Sequence, residues 1–403
     1  MYNLTMSKFN KKFCDDCGKP STYHIQTWLD EIISRVLPKP FLPRKIDLFI
    51  NTLIEKLFLF LKLVSLRDDF ADSDIQARTA CFINEAKKSG IKFKGFYGPF
   101  GYTDRFQAEI NKKIISFDSL PIADFVGKQG TATIDDKEKT KKRLKVGGFP
   151  LAEGRAFWFW QKNKSVNFGL NLGFPLVVKP RGGSVSRHVT TNINDSKKLI
   201  SAINKAVSYS PCFIIEKFIP DSFVYRATVI DFDFIACVKQ IPANVVGDGE
   251  SSIQKLIDEK NNSPRRQKIN STDHVLHKII IDKTTYELLT ATERNLSSVP
   301  EVNEIIYLQK DSFLKLGGDL EEMTPRVHPD NLKLFKEVAK FFNVRVVGLD
   351  FLAQDISQSW KSQPCAILEL NSVPCIELHH FPSSGAPQNV AKAIVSLFFK
   401  YYL

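Results

Sequence analysis

Two apolar segments near the end of the chain carry hydrophilic side chains that a buried strand ordinarily excludes. The segment VVGLDFLA contains Asp350, and AILELNSVP contains Glu369 and Asn371. Because Glu369 and Asn371 are two residues apart, both side chains point to the same face of a strand. A neighbouring strand that carries Asp350 can meet them across the ladder. Ionised groups among apolar neighbours need a counter-ion or a ligand, so these segments must lie where one is available.

This acidic set has two interpretations. Two carboxylates and an amide oxygen are hard oxygen ligands of the kind that Mg²⁺ prefers when it also binds nucleotide phosphates. A structural cluster of hydrogen bonds is the alternative.

Two earlier segments carry a charged residue at the end of a predicted strand. Lys179 ends FPLVVK and precedes Gly182 and Gly183, so an ammonium group and backbone N–H groups can surround phosphate oxygens. Glu216 follows the apolar run CFII, where an acid and the adjoining backbone can bind the edges of a nucleotide. Each signal is weak alone, because no Walker GK[ST] motif is present. A surface turn with an edge lysine is the alternative for Lys179.

The order of elements predicts an α+β fold. Residues 1–90 have a mainly helical pattern, clearest over Ile46–Leu66 and Asp72–Lys88. The segment KIISFDSLPIADFVGK predicts a strand and a following helix, and Lys137–Val146 predicts a helix that ends at glycine. Later strands are expected in CFIIEKF, VYRATVI and FIACVKQI, over Val344–Ala353 and over Cys365–Leu370. The other expected helices are Asp195–Val207, Pro329–Phe342 and Ala386–Phe399.

Length and charge limit the classes of protein and partner. A chain of 403 residues exceeds the roughly 250–300 at which one core stops growing, so two or three lobes are expected. The formal charge of +12 favours anionic partners. The basic run Lys137–Lys145 is either part of a phosphate site or a solvated helix face. No nucleic-acid-binding signature accompanies it, so nucleic acid is not an expected partner.

The cysteines and the apolar segments predict a location. Cys14 and Cys17 form a C-x-x-C pair that no second pair completes, so a zinc ribbon is less favoured than an unpaired surface element. Seven cysteines, an odd number, favour a reducing compartment, and no signal peptide begins the chain. The stretch Ile46–Leu66 contains four charged residues, which favours a buried amphipathic helix over a membrane span. A cytoplasmic protein without a membrane partner is expected.

Together these motifs resemble the ATP-grasp superfamily, in particular the ATP-grasp region of cyanophycin synthetases and of bifunctional glutathione synthetases. The resemblance covers about Phe96 to Leu397. It rests on four stretches in the family order, which are DDKEKTKKRL with GGFPLAEGRAF, QIPANVVGDGESSIQKLIDEKN, LGGDLEEMTPRVHPD, and LELNSVPCIELHHFPSSGAPQNVAKAIV.

The resemblance implies a fold and a set of domains. An ATP-grasp fold has a pre-ATP-grasp α/β lobe, a small lid subdomain and a larger C-terminal subdomain with an antiparallel sheet, here preceded by a helical N-terminal extension. The implied domains are a helical N-terminal region at 1–92, the pre-ATP-grasp segment at 93–134, the lid at 135–215 and the C-terminal subdomain with the metal site at 216–403.

The resemblance also implies roles for individual residues. The residues expected to bind ATP are Lys137, Lys179, Gly182, Gly183, Ser184, Glu216, Lys217, Phe218 and Asp221. Arg226 and Lys179 are expected to be catalytic, near the phosphates or the acyl-phosphate. Asp350, Glu369 and Asn371 are expected to bind Mg²⁺, for which Mn²⁺ can substitute. Gly317–Asp319 and Asn244–Gly249 are expected on the substrate side, with His379 and Ser384 in a bordering terminal loop.

Some positions depart from the family pattern. Ser186 and His188 stand where the glycine loop usually has more glycine, and Cys375 replaces a glycine of a later turn. The acid expected before Tyr225 is Val224, for which Asp221 is a candidate substitute. These changes affect ribose contacts and loop closure, whereas the expected phosphate and metal ligands are present.

The implied activity is that of an ADP-forming carbon–nitrogen ligase. Such an enzyme activates the carboxylate of an amino acid or short peptide as an acyl-phosphate, which an amine then attacks. Preorganised charges would neutralise the phosphate oxygens, and no cysteine is expected to be catalytic. The family is compatible with a homodimer or tetramer. One rival is a nucleotide-binding scaffold that has lost catalysis, and another is an ATP-grasp enzyme with a different acceptor.

Overall fold

The computed structural model describes residues 14, 20–36, 44–111, 113–121, 134, 136–182, 187–267 and 275–402. The helices are α1 (Ser21–Val36), α2 (Arg44–Phe60), α3 (Ala77–Lys87), α4 (Lys137–Val146), α5 (Lys162–Leu172), α6 (Ser196–Tyr209), α7 (Ile253–Asn261), α8 (Lys283–Ala291), α9 (Pro329–Phe342), α10 (Glu377–His380) and α11 (Val390–Tyr402). The strands are β1 (Ser65–Arg67), β2 (Lys92–Gly98), β3 (Gly101–Ile110), β4 (Lys113–Asp118), β5 (Gly154–Trp158), β6 (Leu176–Pro180), β7 (Thr190–Ile193), β8 (Cys212–Lys217), β9 (Phe223–Ile230), β10 (Phe234–Ile241), β11 (Asn244–Val246), β12 (Arg266–Gln267), β13 (Leu276–His277), β14 (Ile305–Tyr307), β15 (Asp319–Glu322), β16 (Val346–Ala353) and β17 (Cys365–Asn371).

The first of two compact units combines residues 1–41 with 151–220. Its antiparallel sheet has the strand order β5-β8-β6-β7. Helices α5 and α6 contribute apolar side chains to one core with this sheet, including the fully buried Leu176, Leu199 and Phe213. Helix α1 lies on α6, where the Trp28 indole N–H donates to the Val207 carbonyl at 3.0 Å.

The second unit combines residues 42–150 with 221–403. Its main sheet has the order β15-β10-β9-β16-β17, and every neighbouring pair is antiparallel. Helix α9 packs on this sheet, with the Phe335 ring 5.4 Å from that of Phe351. A second sheet, β1-β2-β3-β4, shares a core with α3 and α11 through the aromatic contact of Phe82 with Phe398.

Local signals explain where several helices begin and end. The Asp195 carboxylate accepts a hydrogen bond from the Lys198 N–H at 2.8 Å and caps α6. Proline at the first position starts α9, and Asn343 ends it in the left-handed conformation, with φ 53°.

The α+β class predicted from the sequence is confirmed. The predicted helix Pro329–Phe342 has the observed bounds, and the last helix begins at Val390 rather than at Ala386. KIISFD forms strand β4, whereas the helix expected after it lies largely outside the described residues. The two compact units divide the chain near residues 41, 150 and 220. The four domains implied by the resemblance remain a prediction.

The expected burial of the helix in Ile46–Leu66 is wrong. The helix is present as α2, but Phe49, Leu53 and Leu57 are 68%, 56% and 48% exposed. The contact of α2 with the sheet that contains β4 includes the polar Glu55. Its carboxylate accepts a hydrogen bond from the Ser116 hydroxyl at 3.0 Å. Helical spacing shows that a helix has an apolar face, but it does not show whether another element covers that face. Among the described helices, none is long and apolar enough to cross a membrane.

Candidate active site

A row of charged side chains crosses three neighbouring strands of the main sheet. Arg226 on β9 is the ladder partner of Asp350 on β16, and Asp350 is in turn the partner of Glu369 on β17. Directly opposed residues of antiparallel strands project to the same face, so the three side chains lie side by side. The sequence accounts for this row of charges. Each of the three strands is otherwise largely apolar, and in each of them one charged residue lies at the same register position of the sheet.

Arg226 and Asp350 form a bidentate ion pair. The Arg226 Nε donates to Asp350 Oδ1, and Nη2 donates to Oδ2 at 2.8 Å. Both residues are more than nine-tenths buried. Burial lowers the pKa of the guanidinium, but the charge and hydrogen bonds of Asp350 more than offset this and raise it. Arg226 therefore stays protonated at any pH at which the protein is folded.

Glu369 is held between Asp350 and Lys137. The Lys137 Nζ at the start of α4 lies 3.4 Å from Glu369 Oε2. Helix α4 begins at this lysine because the Asp136 carboxylate caps it, accepting from the backbone N–H of Glu138 at 3.0 Å. Burial favours the protonated carboxyl of Glu369, but Lys137, the hydrogen bond with Asp350 and Arg226 together lower its pKa. The carboxylate is thus the favoured form of Glu369.

Asp350 and Glu369 form a pair of neighbouring carboxyl groups that a cation would stabilise. Burial raises the pKa of Asp350, and Glu369 raises it further, while Arg226 acts in the opposite direction. Like charges this close in a buried site resist full ionisation unless further positive charge is added. A divalent cation supplies such charge.

Asn371 completes the oxygen-donor set. It lies on β17 two residues after Glu369, opposite Gly348. Its buried amide Nδ2 has no hydrogen-bond partner among the described residues. Since amide oxygen and nitrogen are assigned from their partners, a rotated amide presents its oxygen at this point instead. Two carboxylates and an amide oxygen on one face fit Mg²⁺, whose preferred ligands are oxygens.

In the first unit, Lys179 and Glu216 pair across the sheet. They lie on the adjacent strands β6 and β8, and Lys179 Nζ is 3.0 Å from Glu216 Oε2. Glu216 is 3% exposed, so its carboxylate is almost wholly removed from water. Two of the residues expected to bind ATP in this unit are therefore in contact with each other.

The start of the glycine loop contacts helix α1. Arg181 donates through Nη1 to Glu31 Oε1 at 2.8 Å, and both side chains are largely buried. A Cβ atom at Gly182 would lie 3.0 Å from Glu31 Oε2. Two further expected phosphate ligands, Gly183 and Ser184, lie outside the described residues.

Lys217 and Phe218 make local contacts. The Lys217 ammonium donates to the carbonyl oxygens of Gly173 at 2.9 Å and Phe174 at 3.0 Å. The Phe218 N–H donates to the Pro175 carbonyl at 3.0 Å. The side chain of Lys217 and the N–H of Phe218 thus both bind the segment that follows α5.

The remaining positions singled out by the sequence are also placed. Asp221 is exposed in a turn before β9, with φ 50°, and Val224 is half-buried on β9. Ser186 lies outside the described residues. Burial, with the nearby Glu377, raises the pKa of the Cys375 thiol, which favours the unreactive protonated form.

The terminal segment is more ordered than a loop. His379 lies on the short helix α10, is fully buried and has Nδ1 3.5 Å from Glu322 Oε2, while Nε2 lies 2.8 Å from the Thr228 hydroxyl. Ser384 forms a parallel bridge with Glu321 beside β15. The expectation of a terminal loop at His379 is therefore wrong, because the family pattern of this region gave no indication of so short a helix.

A second cluster of charges surrounds Asp319, and the sequence did not reveal its cations. Lys260 Nζ lies 2.5 Å from one Asp319 oxygen, and Arg266 donates to the other. Asn244 Nδ2 donates to Asp319 at 3.1 Å, which joins the two segments expected on the substrate side. Lys260 and Arg266 precede Asp319 by more than fifty residues. Lys260 lies in one of the stretches that carry the resemblance, but that stretch does not indicate a contact with Asp319.

The chain is similar in sequence to cyanophycin synthetases and to glutathione biosynthesis bifunctional proteins. The chain is 31% identical to the cyanophycin synthetase of Trichormus variabilis over 338 residues, which are 83% of this chain and 36% of the relative. It is 32% identical to the glutathione biosynthesis bifunctional protein GshAB of Clostridium perfringens over 338 residues, 81% of this chain and 41% of that protein. The chain thus spans well under half the length of these relatives. No protein-family model matches it.

The fold is that of a solved relative. The crystal structure of a bifunctional glutathione synthetase from Pasteurella multocida superposes with a TM-score of 0.63 at 20% identity, covering 81% of this chain and 44% of that chain. The predicted resemblance to the ATP-grasp superfamily is confirmed, and the chain has the α+β ATP-grasp fold. The names of these relatives, a cyanophycin synthetase and a glutathione biosynthesis bifunctional protein, agree with the predicted class of ATP-grasp amino-acid and peptide ligases.

Proposed function

We propose that this ATP-grasp protein is an ADP-forming carbon–nitrogen ligase. It would join the carboxylate of an amino acid or short peptide to an amine through an acyl-phosphate. The names of the relatives support this class of reaction. A cytoplasmic location and a homodimer or tetramer remain part of the proposal.

The observation that carries the proposal is the charge row of Arg226, Asp350 and Glu369. Burying several ionised groups in one sheet destabilises a fold relative to well-packed apolar residues. A scaffold has no need of such a row, whereas a site for a metal and phosphates does. The amide nitrogen of Asn371 beside the row has no hydrogen-bond partner among the described residues, which supports a ligand at this position.

The residues of the chain would act mainly through charge. Asp350, Glu369 and Asn371 would hold Mg²⁺ or Mn²⁺ by their oxygen atoms. Mg-ATP would supply the phosphoryl group, and its metal ion would neutralise part of the negative charge on the phosphates. Lys137, Lys179 and Arg226 would add fixed positive charge that favours the approach of a carboxylate to phosphate oxygens.

The remaining expected ligands would bind the nucleotide. Glu216, Asp221 and the backbone at Phe218 would contact the nucleoside. Gly182, Gly183 and Ser184 would contact phosphates. For Lys217 the structure supports an indirect contribution, since its ammonium group is bonded to the turn after α5.

The Asp319 cluster supports an anionic substrate. Lys260 and Arg266 together exceed the charge of Asp319 by one, and both cations are largely buried. Burial lowers the pKa of Lys260, while Asp319 acts in the opposite direction. A substrate carboxylate bound nearby would relieve the excess positive charge.

Calorimetric titration of Mg-ATP tests the nucleotide site. We expect magnesium-dependent binding to the wild type and its loss in Glu369→Ala/Asn371→Ala. Glu337→Ala, which removes an exposed acid of α9 in the same unit, is the control and should bind normally. A folded wild type that binds no nucleotide would contradict the proposal.

A second measurement tests the chemistry. Pools of amino acids and short peptides are added with ATP, and both ADP and hydroxamate are assayed in the presence of hydroxylamine, which traps an acyl-phosphate. Hydroxamate formed only with a carboxylate substrate is the expected result. ADP formation with phosphate on a hydroxyl acceptor, and no hydroxamate, would show a phosphotransferase instead.

A further inference from the structure

Three potential metal ligands meet in the first unit, and none of them is a residue assigned to Mg-ATP. Cys14, His24 and His188 each offer one ligand atom, and these atoms all lie within 4.8 Å of one another. The Cys14 sulfur is 3.5 Å from His188 Nε2. The rings of His24 and His188 are 5.0 Å apart and nearly perpendicular.

The surroundings of His188 fix which ring nitrogen faces the cysteine. His188 Nδ1 lies 3.2 Å from the backbone carbonyl of Lys205. Since a carbonyl oxygen can only accept, Nδ1 carries the proton, and a neutral ring has its lone pair on Nε2, towards Cys14. A metal-binding histidine usually donates its other ring N–H to a carbonyl or carboxylate in this way, which fixes the orientation of the ring. The ring is also buried and stacked on Tyr209, with 4.7 Å between centroids.

The backbone holds two of the ligands in place. His24 lies on α1, which is bonded to α6 through the Thr27 hydroxyl and the Tyr209 carbonyl at 2.7 Å. His188 has φ 55°, in the left-handed region where histidine is several-fold enriched among residues other than glycine.

We propose that Cys14, His24 and His188 bind one Zn²⁺ ion, with the fourth position open to a further donor. Zinc favours thiolate and imidazole ligands, in contrast to the oxygen ligands of Mg²⁺. Tetrahedral bonds of about 2.3 Å to sulfur and about 2.05 Å to nitrogen place these atoms about 3.6 Å apart. The observed sulfur–nitrogen distance of 3.5 Å matches this value. Cys14 also begins a C-x-x-C pair, a spacing common in zinc sites.

The site would connect distant parts of the chain. Cys14 precedes α1, and His24 lies on α1. Both would be joined to His188, which follows the glycine loop and lies 174 positions after Cys14. Zinc would therefore fix the N-terminal helix to this loop, in addition to the Arg181–Glu31 pair. The inference does not depend on the ligase activity, since no Mg-ATP residue is a ligand.

Cobalt titration tests the site. The chain is stripped with a chelator, Co²⁺ is added, and absorption is recorded in the near ultraviolet and visible. We expect one equivalent to produce a thiolate–Co²⁺ charge-transfer band and the visible bands of a tetrahedral ion. One equivalent of Zn²⁺ should then displace them. Elemental analysis of protein reconstituted with Zn²⁺ and desalted should give one zinc per chain.

Variants identify the ligands. Cys14→Ser, His24→Gln and His188→Asn should each weaken Co²⁺ binding at least tenfold, and Cys14→Ser should abolish the charge-transfer band. Asparagine is chosen at 188 because it tolerates positive φ. Cys365→Ser, in the other unit, is the control and should bind as the wild type does. Absence of stoichiometric Co²⁺ binding, or variants that bind as tightly as the wild type with unchanged circular dichroism, would overturn the proposal.

Discussion

Removing Arg226 should destabilise the second unit strongly. Arg226→Met leaves the Asp350 carboxylate buried without its bidentate partner and next to Glu369. Breaking a buried ion pair by removing one partner costs about 3–5 kcal/mol. An exposed pair contributes only about 0–1 kcal/mol. Arg326→Met, which removes the half-exposed partner of Glu321, is therefore the matched control.

The loss should depend on pH in a direction that the structure sets. Burial and Glu369 already raise the pKa of Asp350, and without the opposing guanidinium it rises further. A carboxyl group whose pKa is raised in the folded state stabilises the fold at low pH, and this contribution is lost as pH rises through the folded-state pKa. The destabilisation by Arg226→Met should hence be larger at pH 8 than at pH 5.

Hydrogen exchange is the suitable assay, because a chain with two compact units need not unfold in one step. Peptides that cover β16 report opening of the main sheet. A loss of about 3–5 kcal/mol corresponds to exchange that is about a hundredfold to several-thousandfold faster. Less than tenfold acceleration at pH 8, or the same acceleration as in Arg326→Met, would refute the reasoning.

Two further changes test local contacts. Gly317→Ala should destabilise the turn before β15 by more than about 2 kcal/mol. The reason is that Gly317 has φ 99° and a methyl group there would lie 2.7 Å from the Ile279 nitrogen. A thermal shift no larger than that of an alanine substitution at an exposed site would contradict this. Lys217→Met should increase hydrogen exchange around Gly173 and Phe174, because the lysine binds their carbonyl groups. The affinity for Mg-ATP, measured by calorimetry, should change less than threefold. A larger loss of affinity would show that the lysine contacts the nucleotide.

Elements with strong local signals were predictable from the sequence. Helix α9 begins at Pro329, which fits the first helical turn, and ends before Asn343, which adopts the left-handed conformation that terminates helices. The pairing of Asp350 with Glu369 was also foreseeable, since alternation along a strand fixes the face on which a side chain lies.

Contacts between residues far apart in the chain were not predictable in this way. Lys217 binds carbonyl groups more than forty residues earlier, a contact that its position at the end of a strand does not indicate. Arg266 reaches Asp319 across more than fifty residues, and His188 reaches Cys14 across 174. Propensity and periodicity describe neighbours along the chain, whereas these contacts depend on how the sheets bring distant strands together.

The charge row also allows stability and function to be separated. If Arg226 and Asp350 served only the fold, Arg226→Met/Asp350→Leu would be a favourable exchange, since apolar replacement of a buried ion pair is often neutral or stabilising. The double variant should recover most of the protection that Arg226→Met loses, yet fail to form hydroxamate. Recovery of both would mean that the pair is a structural cluster, the alternative that the sequence left open. Recovery of the fold alone is the result expected of a site that retains buried charge for its ligands.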